Sequence, residues 1–301
     1  MSTLTKSPRH VARQALAVAT KALRPYAHKF SPKRYTQPQL FVCLVLKTFF
    51  KTDYRGLTAI LGEWDSLRAA FGLRFVPHFT TLQKASRRLL RLPRARRLLG
   101  ATIRRHMGRR RRVQRAAFDS TGLDCGQRSF YYVRRRCATS KRWQRVTYSR
   151  YAKLELAVDT ANHLVLAALT GRGPRPDTDR FVPLLKATLR QVRVGSVLAD
   201  AGFDSEPNHR HAREKCGVRS FIPATIGRPT RKPPSGRNRR RMKQRLNKHY
   251  GRYGQRWQVE CTNSMIKRRL TTTVASRSYW GQCRELLLIV LTYQCMLVLD
   301  S

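Results

Sequence analysis

Acidic residues are what this sequence has least of. It carries 16 Asp and Glu against 63 Lys and Arg, a formal charge of +47, with the cations spread along all 301 residues. That surplus exceeds what solubility asks for and points to a polyanionic partner. Long apolar runs are lacking too: the longest, Leu286–Leu299, contains Thr292 and Gln294 and falls short of the ~20 residues a spanning helix needs. It reads as a core helix, and no membrane attachment is expected. None of the seven cysteines (Cys43, Cys125, Cys137, Cys216, Cys261, Cys283, Cys295) sits in a CxxC pair or beside a suitably spaced histidine, which argues against zinc fingers and ribbons. An odd, scattered set of thiols suits a reducing, cytoplasmic compartment. No secretory signal is evident. The first acid is Asp53, so the leading segment has a transit-peptide look, but the rest is nearly as acid-poor and the feature is not distinctive.

What is present is enough for two globular domains, since 41% of residues are hydrophobic. The first 110 residues read as helical and basic: 8–24, Gln39–Lys51 opened by Pro38, a helix capped by Asp53 and running to Leu61, Thr81–Leu92 capped by Thr80, and Arg94–Met107. The turn around Gly72–His78 would allow a helix-turn-helix unit that places Thr81–Arg91 in a groove. A plain bundle with Lys84, Arg87 and Arg88 facing water fits equally. Residues 111–301 change character. Val113–Phe118 reads as a strand ending at Asp119-Ser-Thr-Gly, Ser129–Val133 as an aromatic strand segment, and Arg134–Arg145 as a basic loop. Lys153–Asp159 and Leu164–Thr170 alternate like a hairpin, with Glu155 and Asp159 toward a polar face or a turn. A helix from Pro176-Asp-Thr-Asp179 to Val192, a strand Ser196–Ala199 ending at Asp200, a helix Ser205–Cys216 capped by Asp204 or Ser205, and a strand Val218–Pro223 follow. The order predicts a mixed α/β fold with a five-stranded sheet and flanking helices. A basic insert at 225–250 reads as a linker, a short helix at Met242–Lys248, or an arm along a phosphate backbone.

In so acid-poor a chain the placement of each carboxylate carries information. Asp119 and Asp200 each follow an apolar run that places them at strand ends, where open α/β sheets hold their sites. A third acid, Glu260, lies in Tyr253-Gly-Gln-Arg256-Trp-Gln-Val-Glu260-Cys-Thr-Asn-Ser-Met-Ile-Lys267. At about 100° per residue, Tyr253, Arg256, Glu260 and Lys267 share a stripe roughly 60° wide, with Val259, Met265, Ile266 and Leu270 mostly on other sides. A surface helix with Arg256 and Glu260 simply paired at i, i+4 is the bland alternative. Three carboxylates together suit Mg²⁺, a hard cation, or Mn²⁺, and two ions per site are what phosphodiester chemistry uses. Arg256, Lys267 and Tyr253 could hold phosphates; Trp257, roughly 40° round the helix, could stack on a base or pack in the core.

Taken together, Asp119-Ser-Thr-Gly, Asp200-Ala-Gly-Phe-Asp204 and the Tyr-x2-Arg-x3-Glu-x6-Lys pattern at Tyr253, Arg256, Glu260 and Lys267 resemble the DDE transposases of bacterial insertion sequences, in the groups with a YREK signature. The resemblance spans about Arg111 to Leu299. It implies a ribonuclease H-like catalytic fold behind a helical DNA-binding region, with Asp119, Asp200 and Glu260 as the metal-binding catalytic triad. It also implies that Tyr253, Arg256 and Lys267 contact the transposon end, and that a dimeric synaptic complex cuts at terminal inverted repeats and joins the freed 3′-OH to target DNA. The short basic insert differs from relatives with a large β-rich insertion there. The competing readings are a transposase-derived DNA-binding protein without chemistry and a nuclease that hydrolyses without joining.

Overall fold

The computed structural model describes residues 3–108, 111–126, 151–224, 233–246 and 250–298. The expected segments Ser129–Val133 and Arg134–Arg145 lie outside these residues, as do both ends of the basic insert. After a two-residue strand β1 (Thr3–Leu4) come α1 (Pro8–Ala22), α2 (Gln37–Phe49), α3 (Tyr54–Glu63), α4 (Asp65–Ala69), α5 (Phe79–Leu89) and α6 (Leu92–Met107). Their starts follow from local chemistry. Thr36 and Gln39 form a reciprocal capping box on α2, and Asp53 Oδ1 accepts from Gly56 N at 2.6 Å to open α3. The helix α5 begins two residues before the expected Thr81. Its cap position is His78, which makes no side-chain cap bond, and Thr80 is inside the first turn with its hydroxyl 2.8 Å from the His78 ring. Leu82, Ala85, Ser86 and Leu89 are buried toward α2 and α3, leaving Gln83, Lys84 and Arg87 exposed. The short α4 was not foreseen.

The sheet is built from β2 (Arg112–Cys125), β3 (Tyr151–Asp159), β4 (Val165–Gly173), β5 (Arg193–Ala199) and β6 (Arg219–Phe221), in the order β4-β3-β2-β5-β6. The first three pair antiparallel, and the helical crossovers α7 (Thr178–Leu189) and α8 (Glu206–Arg210, continued by a π-helical turn His211–Lys215) make β5 and β6 parallel to β2, as expected. A sixth short strand, β7 (Thr273–Val274), joins the far end of β2. The expected polar face of β3 is not one: Glu155 is 1% and Lys153 4% exposed, because the strand is covered on both sides. Glu155 is accommodated by a two-pronged pair with Arg180 at 3.0 and 3.1 Å.

The remaining helices are α9 (Arg237–Arg245), α10 (Tyr250–Tyr253), α11 (Trp257–Arg269) and α12 (Tyr279–Met296), followed by β8 (Leu297–Val298), which pairs with β1. The basic insert is thus helical earlier than Met242–Lys248. Among its described residues the one buried apolar side chain, Met242, packs with Leu198 and Phe221. The predicted core helix α12 is buried all round from Leu286 to Met296 and packs against α1, α2 and α6 on one side and β3 and β4 on the other. Its polar groups are satisfied. Gln294 donates to Val165 O and Thr102 Oγ1 and accepts from Val165 N, so it pairs the free edge of β4 as a neighbouring strand would. No described helix is long and apolar enough to cross a membrane.

Candidate active site

Strand register brings the first two acids together. In the parallel pair β2/β5, Phe118 lies opposite Ala199, so the next position of β2, Asp119, stands beside Asp200, where β5 stops. Side chains alternate along a strand. Phe118 therefore faces the core, fully buried against Phe181 with ring centroids 5.7 Å apart, and the aspartates take the opposite face. Asp119 was expected at a strand end, yet it lies within β2. The reason is the pairing beyond Phe118: β3 continues alongside to Leu123 and β7 takes over at Asp124, holding Asp119-Ser-Thr-Gly extended.

The segment after Asp200 assigns a task to each residue. Asp200 Oδ1 accepts from Gly202 N at 3.0 Å and opens a 3-10 turn. Phe203 is fully buried against Phe181. Asp204 pairs with Arg239 at 2.8 Å and lies 3.7 Å from His209, and Ser205, not Asp204, caps α8. Of the two acids in Asp200-Ala-Gly-Phe-Asp204, the second therefore anchors α9.

The helix bearing Glu260 is broken. Between α10 and α11 the chain makes a 3-10 turn, Gly254–Arg256, so the stripe from Tyr253 to Lys267 is not one continuous α-helical face. That turn lies against β2 and β5, and α11 lies against β2 and β3 with Val259 and Ile266 fully buried. Met265 and Leu270 complete the apolar back as expected. Asn263, one turn beyond Glu260, donates from Nδ2 to Asp119 Oδ2 at 2.9 Å. Glu260 itself is ion-paired with Arg256 at 2.5 Å and its side chain is 52% exposed. Lys267 is two turns further on, roughly 10 Å of rise, and no ion pair ties it to the three acids among the described residues. Trp257 is 52% exposed, so the structure removes the core-packing alternative for it.

The electrostatics register how close these groups are. Burial pushes the Asp119 carboxyl up to about 6; the Ser120 backbone hydrogen bond and Arg256 oppose this, while Asp200 and Glu260 add to it. Asp200 is raised by burial and then by the neighbouring Asp177, with Arg256 opposing. Burial pulls the Arg256 guanidinium down, but its bond to Glu260, the Tyr253 phenol and Asp119 raise it overall. Tyr253 is raised by burial, with Arg256 opposing and Asp200 and Glu260 adding. Among the described residues, no three of His, Cys, Asp and Glu are yet grouped closely enough to hold one metal ion; Arg256 occupies Glu260 instead.

A family model described as the transposase DDE domain matches residues 113–295, more than half of the chain. The chain belongs to the DDE transposases. The match opens at Val113 on β2, takes in the described strands from β2 to β7, and closes at Cys295 in α12. This transposase is thereby an enzyme acting on DNA, of a family that generally works with divalent metal ions. Its cationic surplus fits that substrate. Three neighbours of the acids escaped the sequence reading. Asn263 falls at roughly 280° on the same wheel, just outside the stripe, and extending the sector by one residue would have found it. Asp177 passed for a helix-opening residue and Lys153 for the first residue of an alternating strand, because their partners are remote in sequence and invisible in a linear pattern.

Proposed function

We propose that this transposase binds the terminal inverted repeats of its own insertion sequence, cuts there, and transfers the 3′-OH ends into target DNA, with Asp119, Asp200 and Glu260 as its metal-binding catalytic triad. The reading takes residues 111–301 as a ribonuclease H-like catalytic domain and 1–110 as a helical DNA-binding region, with two protomers in the synaptic complex. The observation that carries it is the Phe118/Ala199 register, which seats two half-buried carboxylates side by side in a chain with cations to spare.

The donor set fits a hard divalent cation. It offers carboxylate oxygens, the ligands a hard dication takes, and at Asp119 the neighbouring Asp200 and Glu260 add to the upward push of burial. Two Mg²⁺ ions, or Mn²⁺ in their place, would supply activation of the attacking water or 3′-hydroxyl and stabilisation of the leaving oxygen. The protein's own groups do the rest. Asp119 is oriented by Asn263, and Asp200 by the Gly202 amide. Glu260, half exposed on the first turn of α11, exchanges its bond to Arg256 for the site. The guanidinium then passes to a substrate phosphate, with Tyr253, Lys267 and Trp257 as further DNA contacts.

The test is strand transfer by purified protein on its element's ends in Mg²⁺. Asp119→Asn and Glu260→Gln each remove several kcal/mol of transition-state stabilisation, about 10³-fold or more in rate, with DNA affinity retained. Near-normal joining by either variant would take that residue out of the mechanism.

A further inference from the structure

Asp177 occupies the N-cap position of α7 but makes no side-chain cap bond. Its carboxylate is turned instead toward the two aspartates. Oδ2 accepts from Ser120 Oγ at 3.0 Å, the residue after Asp119, and Oδ1 is ion-paired with Lys153 Nζ at 2.6 Å. On the other side it shares a glycine with Asp200. A Cβ built on Gly202 would stand 3.1 Å from Asp200 Oδ1 and 3.5 Å from Asp177 Oδ2. Lys153 is 4% exposed, and its ammonium also donates to Arg175 O. Lysine is almost never this buried unless it is paired. The adjacent acid on β3, Glu155, is already matched by Arg180. The Lys153 charge is thus directed at Asp177, which itself borders the aspartate pair.

We propose that Asp177 is a fourth acidic residue of this site, a positioning residue that tunes the hold of Asp119 and Asp200 on a divalent cation, with Lys153 as its built-in counter-charge. The inference rests on the divalent-metal reading above. Its signature is a pair of opposite signs. Removing the Asp177 charge weakens attraction for a dication a few ångströms away and leaves Lys153 repelling it; removing the Lys153 charge strengthens that attraction. A merely structural tie between β2, β3 and α7 would loosen the site in both cases.

The experiment titrates the DNA-free full chain with Mn²⁺ and reads free Mn²⁺ by electron paramagnetic resonance. Asp177→Asn is expected to raise Kd about tenfold, Asp177→Glu to stay within about threefold of wild type, and Lys153→Met to lower Kd about tenfold. Should Lys153→Met fail to fold by circular dichroism, the contrast between the Asn and Glu variants at 177 decides. An unchanged Kd in Asp177→Asn, or weakening in both the 177 and 153 variants, overturns the inference while loss of binding in Asp119→Asn keeps the metal reading standing. No saturable Mn²⁺ binding by the wild-type chain overturns both.

Discussion

Two sets of buried acids in this sheet are treated in opposite ways. Glu155 on β3 and Asp204 after β5 each receive a cation of their own, Arg180 and Arg239 at 3.0 and 2.8 Å. Asp119 and Asp200 are set beside each other instead, with Arg256 opposing their charge from a turn where it is bonded to Glu260. Burial pushes Glu155 up as well, but there Arg180, bonded to it, and Lys153 pull back against Asp177, whereas at Asp119 Arg256 pulls back against two acids, Asp200 and Glu260. In a chain with 63 Lys and Arg against 16 acids, a carboxylate pair with no ion pair of its own among the described residues is not a matter of supply. Glu155 and Asp204 are tied into the fold by their cations, and Asp119 and Asp200, with no ion pair among the described residues, are the carboxylates that the proposed function assigns to a divalent cation.

That contrast predicts opposite signs on mutation. The largest effect is expected at the structural pair: Glu155→Ala leaves the Arg180 guanidinium half-buried without its partner and should cost about 3–5 kcal/mol in urea unfolding. A cost under about 1 kcal/mol would erase the distinction. At the open pair the sign reverses. The folded Asp119 carboxyl is raised to about 6 from an ordinary value of 3.8, so it binds its proton more tightly folded than unfolded. Its contribution to stability is fully present below about pH 4 and is lost as pH rises through about 6. Without divalent metal, Asp119→Asn should therefore stabilise the chain by on the order of 2 kcal/mol at pH 8 and flatten the fall in stability between pH 4 and 6. Destabilisation at pH 8 would contradict this. Smallest is Arg256→Gln, which removes a cation from a partly exposed ion pair and should cost less than about 1 kcal/mol while lowering affinity for DNA ends, measured by fluorescence anisotropy.

The sequence shows these two treatments unequally. Two helices were legible from local signals, α3 through its cap Asp53 and α2 through Pro38 in its first turn, although the Thr36 and Gln39 capping box that opens α2 was not read. The end of β5 at Asp200 was legible for a similar reason: an apolar run stops and an acid opens the next turn. What failed depends on partners remote in sequence. The strand reads as ending at Asp119-Ser-Thr-Gly, and only β3 and β7 on its flanks hold that segment extended. Glu155 reads as pointing to a polar face or a turn, and only the cover of both sheet faces makes it a buried, Arg-matched group. The break at Gly254–Arg256 is likewise invisible to a helical wheel that assumes a constant angle per residue.

The central claim is most directly tested by anomalous diffraction from crystals of the wild-type protein soaked in Mn²⁺. A bound ion about 2.1–2.3 Å from carboxylate oxygens of both Asp119 and Asp200 is the predicted result. Manganese sites found only elsewhere, with those two carboxylates left bare at saturating Mn²⁺, would contradict it.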